Sequence, residues 1–321
     1  MPTCDIIMPI YNAAPVLPFT LTALFSQKIP PTWRVQLIAS DDASTDDSLK
    51  VIASHAQGSG LPAIVLPGRT QAGPAHARNR ALEKSQADLV FFLGADIILR
   101  PGALAEHLNF HAHHPEKTQA ALGFIIWDPR LYPSPLQEWM THGGPQNDFD
   151  SLLGQTFANP QHYFYAAQLS LKRSILPKPA FNPMFTQYGW EDLALGRYLS
   201  QKHLKLCLLH QARALHRHAY PVLVIKRRQL AVGRGLRLYQ KQFSHEQLLH
   251  VGSRKKQIIR RLLLITGGLY LLELLTRLAL RYNRSIPWLF FYFTSLAFWS
   301  GWYRGSTKRV KDMNRPPLVI H

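Results

Sequence analysis

The chain opens on an apolar run, CDIIMPIYN, closed by Pro9 and Asn12. The run reads as a buried strand, and no basic segment or cleavage site precedes it as in a secretory leader. Residues 15–27 carry apolar positions at helical spacing, Pro30 and Pro31 break the chain, and VQLIAS at 35–40 supplies a second buried strand. The alternation continues with a helix over 48–55, a strand over 63–67, a helix over 75–85 and a strand over 89–94. Uninterrupted apolar strands alternating with amphipathic helices predict an α/β fold with a mostly parallel central sheet covered by helices on both faces.

In such a sheet a ligand sits beyond the carboxyl ends of the strands, so the residues that follow each strand are the informative ones. Pro9, Tyr11 and Asn12 follow the first strand, Asp41 and Asp42 the second, and Gly94, Ala95 and Asp96 the last. Together they predict a polar pocket rich in carboxylate, which suits a divalent cation better than a bare phosphate. Asp46 and Asp47 read instead as turn and cap residues for the helix that starts at Ser48, where Asp and Ser are favoured.

Composition changes the picture at the other end of the chain. The 321 residues hold 37 Lys+Arg against 19 Asp+Glu, a formal charge of +18. Residues 1–195 hold 13 basic and 16 acidic residues, so residues 196–321 hold 24 and 3. The excess is therefore confined to the C-terminal part, where it brackets two apolar stretches, 262–280 and 286–303. A basic collar around apolar helices points to an anionic membrane surface. No zinc-finger spacing, basic zipper or RNA-recognition signature accompanies the charge, so nucleic acid is not expected as a partner. The stretch 286–303 has no charge and about the length of a bilayer core, whereas 262–280 carries Glu273 and Arg277 and is the weaker span. The two either cross the membrane as a hairpin or lie in its interface. Arg254, Lys255, Lys256, Arg260 and Arg261 precede the pair and Arg304, Lys308, Arg309 and Lys311 follow it, which predicts that both ends face the cytoplasm. Cys4 and Cys207 lie in apolar segments and read as small buried hydrophobes.

Five segments in order, MPIYNAAPVL, DDASTDDS, GPAHARNRAL, FFLGADIILRPGAL and YGWEDLALGRYL, make the chain resemble the family 2 glycosyltransferases. The resemblance implies a GT-A fold and an inverting transfer of a sugar from a nucleoside diphosphate donor to an acceptor hydroxyl, assisted by Mg or Mn. It implies a donor site built from Pro9, Tyr11, Asn12, Asp42, Gly73, Arg78, Ala95 and Asp96. In it Asp42 hydrogen-bonds the nucleotide base, Tyr11 lies against the base, and Arg78 lies near the diphosphate. The family's Asp-x-Asp metal motif falls on Gly94 to Asp96, so the first carboxylate is missing here and Asp96 is the expected metal ligand. The metal-binding histidine of such enzymes matches His216, with His218 as the alternative, since both lie on one face of an extended segment.

The same resemblance assigns Asp192 as the general base and Glu191 as its partner on the acceptor or donor sugar. On the acceptor side it implies Trp127, Gln168 and Trp190, although Gln168 stands where the family has Asn and equally suits a buried structural amide. The irregular stretch 127–159, with a short helix around Leu136 to Met140, reads as a loop region shaping the acceptor pocket. Lys226, Arg227 and Arg228 either close over the diphosphate or begin the basic surface. The expected organisation is a transferase domain over 1–225, with a donor half over 1–100 and an acceptor half over 101–225, followed by a basic helical membrane-associating region over 226–321. An enzyme on the cytoplasmic face of the cell membrane, acting on a cell-envelope glycan or glycolipid, is the expectation. A catalytically impaired nucleotide-sugar-binding membrane protein is the alternative, motivated by Gly94.

Overall fold

A computed structural model describes residues 1–142, 144, 146, 148–243 and 253–304. In chain order the elements are β1 (Thr3–Ile10), α1 (Leu17–Phe25), β2 (Arg34–Asp41), α2 (Ser48–Ala56), β3 (Ala63–Leu66), α3 (Pro74–Lys84) and β4 (Leu89–Leu93). There follow β5 (Ile97–Leu99), α4 (Ala103–His113), β6 (Gln119–Trp127), α5 (Pro135–Thr141), β7 (Phe157–Ala158), α6 (Pro160–Tyr163), β8 (Gln168–Lys172), α7 (Glu191–Ser200) and β9 (Lys205–His216). The last four helices are α8 (Val222–Gln242), α9 (Arg254–Ile265), α10 (Gly268–Arg281) and α11 (Pro287–Arg304). The chain divides into two compact units, 1–131 with 149–186 and 191–218, and 132–148 with 187–190 and 219–321.

The first unit is built on one sheet of order β3-β2-β1-β4-β8-β6-β9-β5, with β7 paired to β9. β4 is apolar throughout, as is β1 from Ile6 to Ile10, and both are buried on the two faces of the sheet: Ile6, Ile7, Phe91 and Phe92 have no exposed surface. Pro9 fits inside β1 because the pairing with β4 ends at Ile7, so on that side its missing N–H breaks no ladder bond. The sheet is mixed, which corrects the expectation of a mostly parallel one. β3, β2, β1 and β4 run parallel, but β8 is antiparallel to both β4 and β6, and β5 and β7 are antiparallel to β9. β5 follows β4 with no helix between them, and β8, reached through α5, β7 and α6, enters between β4 and β6 in the opposite sense.

The second unit is helical. α8 and α11 approach backbone to backbone, since a Cβ on Gly233 would strike the Phe298 carbonyl and one on Gly301 the Leu230 carbonyl. Phe290, Phe293 and Ala297 of α11 are fully buried as a result. Residues 286–303 therefore serve as the core helix of this unit. Among the described residues no single helix is long and apolar enough to cross a membrane. The stretch 262–280 is not continuous either: it breaks at Gly267, in the left-handed conformation, into α9 and α10, which meet at 72°. Because α8 belongs to the helical core from Val222 onward, the unit boundary falls at 218/219, ahead of the expected 225/226, and residues 132–148 with α5 join the helices. Lys308, Arg309 and Lys311 lie outside the described residues.

Candidate functional site

The loops after β1 and β2 lock together. The Asn12 N–H donates to Ser44 Oγ (2.9 Å) and its side-chain oxygen accepts from the Thr45 N–H (2.8 Å). Asn12 and Ala43 both have positive φ (46° and 61°), a costly conformation for residues with a Cβ that concentrates at functional loops. Asp41 is spent on the loops, accepting from the Ser44 and Gly68 N–H groups. Asp46 accepts from Ala14 N–H and from Ser48, as a turn residue should.

Asp42 is buried, and its two oxygens accept from the Ala72 and Gly73 N–H groups at 2.8 Å each. Burial raises its pKa, with these two N–H donors opposing. Each oxygen keeps a further lone pair for an incoming donor, so the carboxylate both pins the 72–73 loop and remains an acceptor. Tyr11 is partly exposed, its pKa raised by burial and then by Asp42. Gly73 has φ 93°, caps the start of α3, and a Cβ there would lie 2.5 Å from the Thr186 carbonyl oxygen. Gly73→Ala is expected to destabilise the protein by about 2 kcal/mol or more through strain and clash, measured by thermal denaturation; an unchanged melting temperature would contradict this geometry.

Asp96 lies on the turn between β4 and β5, and His216 ends β9 opposite Ile97. The His216 Nε2–H donates to Asp96 Oδ2 at 3.0 Å, and His218 Nδ1 lies 3.5 Å from the same oxygen. The histidines weighed above as alternatives thus both face Asp96. Burial works against ionisation of Asp96, but the charge and hydrogen bonds of His216 and His218 outweigh it and hold the carboxyl well below its ordinary range. Trp127 stacks flat on the His216 ring, centroids 4.8 Å apart at 9°, and is itself largely buried, so it orients the imidazole.

Asp96, His216 and His218 bring one carboxylate and two imidazoles together. Among the described residues no group of three or more His, Cys, Asp or Glu is arranged to hold an ion by itself. Where the family has its first aspartate, a Cβ on Gly94 would lie 2.8 Å from Ile97 Cγ1 and 3.1 Å from Asp96 Oδ1. The turn has little room for a second carboxylate.

Glu191 and Asp192 form the first turn of α7, where carboxylates are favoured by the helix dipole. Trp190, immediately before them, has φ 74°, an outlier for a bulky residue. Glu191 is buried and paired with Arg78, Nη1 to Oε1 3.1 Å. Arg78 also donates through Nη2 to the Ala166 carbonyl (3.3 Å), while the Ala166 N–H donates to Asp192 Oδ2 (3.4 Å). One guanidinium thus holds Glu191 directly, and the backbone of Ala166 links it to Asp192. The next carbonyl, Ala167, accepts from the Gly94 N–H at 3.0 Å, which ties the Asp192 end of the site to the turn bearing Ala95 and Asp96.

Desolvation, then the Glu191 charge, push the Asp192 carboxyl up to about 7, with Arg78 opposing. Were Asp192 the base, it would have to be ionised to work, and activity would fall as pH drops through about 7, well above the usual range of an aspartate near ~4. A pH profile of kcat/KM checks this, and an acid limb near 4 would contradict it.

Gln168 and Trp190, both expected on the acceptor side, each have a backbone partner. Gln168 has no exposed surface, and its Nε2–H donates to the Ala212 carbonyl, the placement of a buried amide within the sheet. Trp190 belongs to the helical unit, where its Nε1–H donates to the Val232 carbonyl at 2.8 Å. Lys226 pairs with Glu273, and Arg228 lies over the rings of Tyr188 and Tyr220.

Other participants were not anticipated. Asn79 fixes the chain at Phe181, its amide donating to the carbonyl and accepting the N–H. Arg217, between the two histidines, pairs with Asp128 at 2.7 Å and stacks on Phe19, while its N–H donates to the Asp96 carbonyl. Burial opposes ionisation of Asp128, but Arg130 and Arg217 together lower its pKa to about 2. The sequence signal was present in WDPR and LHRH, two segments that gain meaning only once β6 and β9 are known to pair.

Residues 5–176 match the family described as Glycosyl transferase family 2. An uncharacterized glycosyltransferase of Haemophilus influenzae is 36% identical over 110 residues, 34% of this chain and 42% of that one. A poly(ribitol-phosphate) beta-glucosyltransferase of Bacillus spizizenii is 26% identical over 106 residues, 33% of this chain and 17% of that one. The matches thus span less than half the length of these curated relatives. Among solved structures, the mannosyltransferase PcManGT from Pyrobaculum calidifontis in complex with GDP-Man and Mn2+ superposes with a TM-score of 0.55 at 19% identity. The match covers 76% of this chain and 64% of that chain, a likeness that speaks for the fold alone.

Proposed function

The chain belongs to glycosyltransferase family 2, and from that premise we propose that it moves a sugar from a nucleoside diphosphate donor to an acceptor hydroxyl with inversion. The observation that carries the reading is the Asp192 carboxylate, held at a helix start by a buried Arg78–Glu191 pair and desolvated enough to act as a base near neutral pH. In a single displacement the acceptor oxygen bonds to the anomeric carbon as the bond from that carbon to the phosphate oxygen breaks. The hydroxyl proton goes to Asp192, and the nucleoside diphosphate leaves with the electron pair. Asp96, with His216 and His218, is the set that would hold a divalent cation, Mg or Mn, which as a Lewis acid stabilises negative charge on the departing diphosphate. Asp42, Tyr11 and Asn12 bind the nucleoside side of the donor. A cell-envelope glycan or glycolipid is the acceptor class, in keeping with the polymer named for the Bacillus spizizenii relative.

Gly94 favours a second reading, a protein that binds nucleotide sugars without turning them over. Calorimetry with UDP, GDP and dTDP, with and without Mn, tests the shared premise. One nucleotide is expected to bind, more tightly with Mn, and binding of none would overturn both readings.

A further inference from the structure

The helical unit carries an inside-out amphipathic surface. On α10 the inward face holds Glu273, Thr276 and Ala279, with Glu273 pairing with Lys226 and Arg277. Its outward face is apolar, with Leu271, Leu274 and Leu278 exposed. On α9, Arg260 lies over the Trp299 ring at 4.0 Å and Arg261 over the Tyr303 ring at 5.1 Å, so the cations face α11. Ile258, Leu262 and Ile265 point away, Ile265 being 81% exposed. Folding alone does not explain such an arrangement, since a soluble helix turns its leucines inward. Contiguous exposed apolar surface with a polar rim marks an interaction site.

Charge selects the occupant. Residues 254–284 hold eight Lys or Arg against the single acid Glu273. Arg254, Lys255 and Lys256 stand exposed in the first turn of α9, where the helix dipole disfavours cations, so they do not serve the helix. Two copies of this surface would oppose like charges, and a nucleic acid would leave the leucines unused. An apolar face rimmed by cations matches the boundary between anionic headgroups and acyl chains.

Length selects the mode. α9 has 12 residues and α10 has 14, about 18 and 21 Å at ~1.5 Å per residue, against a hydrocarbon core of ~30 Å. The 72° bend between them keeps the two from forming one straight span, and the buried Glu273, paired with Lys226, holds α10 against the protein. We propose that α9 and α10 lie in the plane of an anionic membrane interface, with Ile258, Leu262, Ile265, Leu271, Leu274 and Leu278 inserted among the acyl chains and Arg254, Lys255 and Lys256 on the headgroups. α11, charged only at Arg304, keeps Phe290, Phe293, Leu296 and Ala297 buried within the protein.

Co-sedimentation of the full chain with phosphatidylcholine vesicles, with and without phosphatidylglycerol, tests this. The chain should bind the anionic vesicles. The triple variant Arg254→Gln/Lys255→Gln/Lys256→Gln should weaken that binding on the order of a hundredfold. Leu271→Asp/Leu274→Asp/Leu278→Asp should weaken it roughly tenfold or more, with melting temperature and nucleotide binding unchanged. The proposal is overturned if the full chain does not bind anionic vesicles or if the leucine variant binds them as the parent does. It is equally overturned if ultracentrifugation shows a dimer that the leucine variant dissolves while vesicle binding persists, or if duplex DNA competes with vesicles and binds the leucine variant undiminished. Nucleotide binding is read separately, so loss of vesicle binding leaves the transfer chemistry untouched.

Discussion

Arg78→Met is expected to destabilise the protein by about 3–5 kcal/mol, because it strips a buried carboxylate of its cation. Glu191 is 2% exposed and the guanidinium lies 3.1 Å from it. Removing that charge leaves Glu191 beside Asp192 in a desolvated site and frees the Ala166 carbonyl as well. Chemical denaturation measures the loss. The double variant Arg78→Met/Glu191→Gln should recover most of it, because the uncompensated charge goes with the glutamate. If the single variant is as stable as the parent, the buried pair described here does not hold the start of α7. The guanidinium also lies 5.2 Å from the Phe181 ring, so Arg78→Lys, which keeps the charge but not the planar fork, should fall between the two.

Asp192→Asn is expected to lower kcat by about 10²–10⁴ while leaving nucleotide binding within about twofold, the signature of removing a general base. The variant keeps the shape but cannot accept the proton, and its one amide oxygen serves only one of the two N–H donors, Ala166 and Leu193, that the carboxylate accepts. Its residual rate should lose the acid limb near pH 7. Glu191→Gln removes one of the charges that raise the Asp192 pKa, so its acid limb should move to lower pH. Steady-state kinetics over pH read both effects. Full turnover in Asp192→Asn would remove the base from the account, and loss of nucleotide binding would place Asp192 in the donor site instead.

The first 94 residues were legible because apolar strands and amphipathic helices alternate there, and the polar residues at strand ends fell where the parallel topology puts them. Legibility stopped where pairing became long-range. Nothing local in QLSLK marks β8 as antiparallel between β4 and β6, so the sheet looked more parallel than it is. Arg78 was read by residue type, as a guanidinium for phosphate; its partner Glu191 lies far along the chain, and only the fold brings the two together. Spacing placed His216 and His218 on one face, and the structure uses that face for both. The Gly267–Gly268 pair is a visible break inside an apolar run, but hydropathy summed over 262–280 conceals it. For the same reason 286–303 reads as the better membrane span: hydropathy does not register Gly233 and Gly301, which pack α11 against α8.

The most direct test of the central claim is release of nucleoside diphosphate from a panel of UDP-, GDP- and dTDP-sugars, in the presence of Mn, by the parent and by Asp192→Asn. One donor class should be turned over by the parent and left nearly intact by the variant, although the variant still binds the nucleotide. Equal release by both, or none from any donor by a parent that binds nucleotide, would contradict an enzyme that transfers sugar with Asp192 as its base.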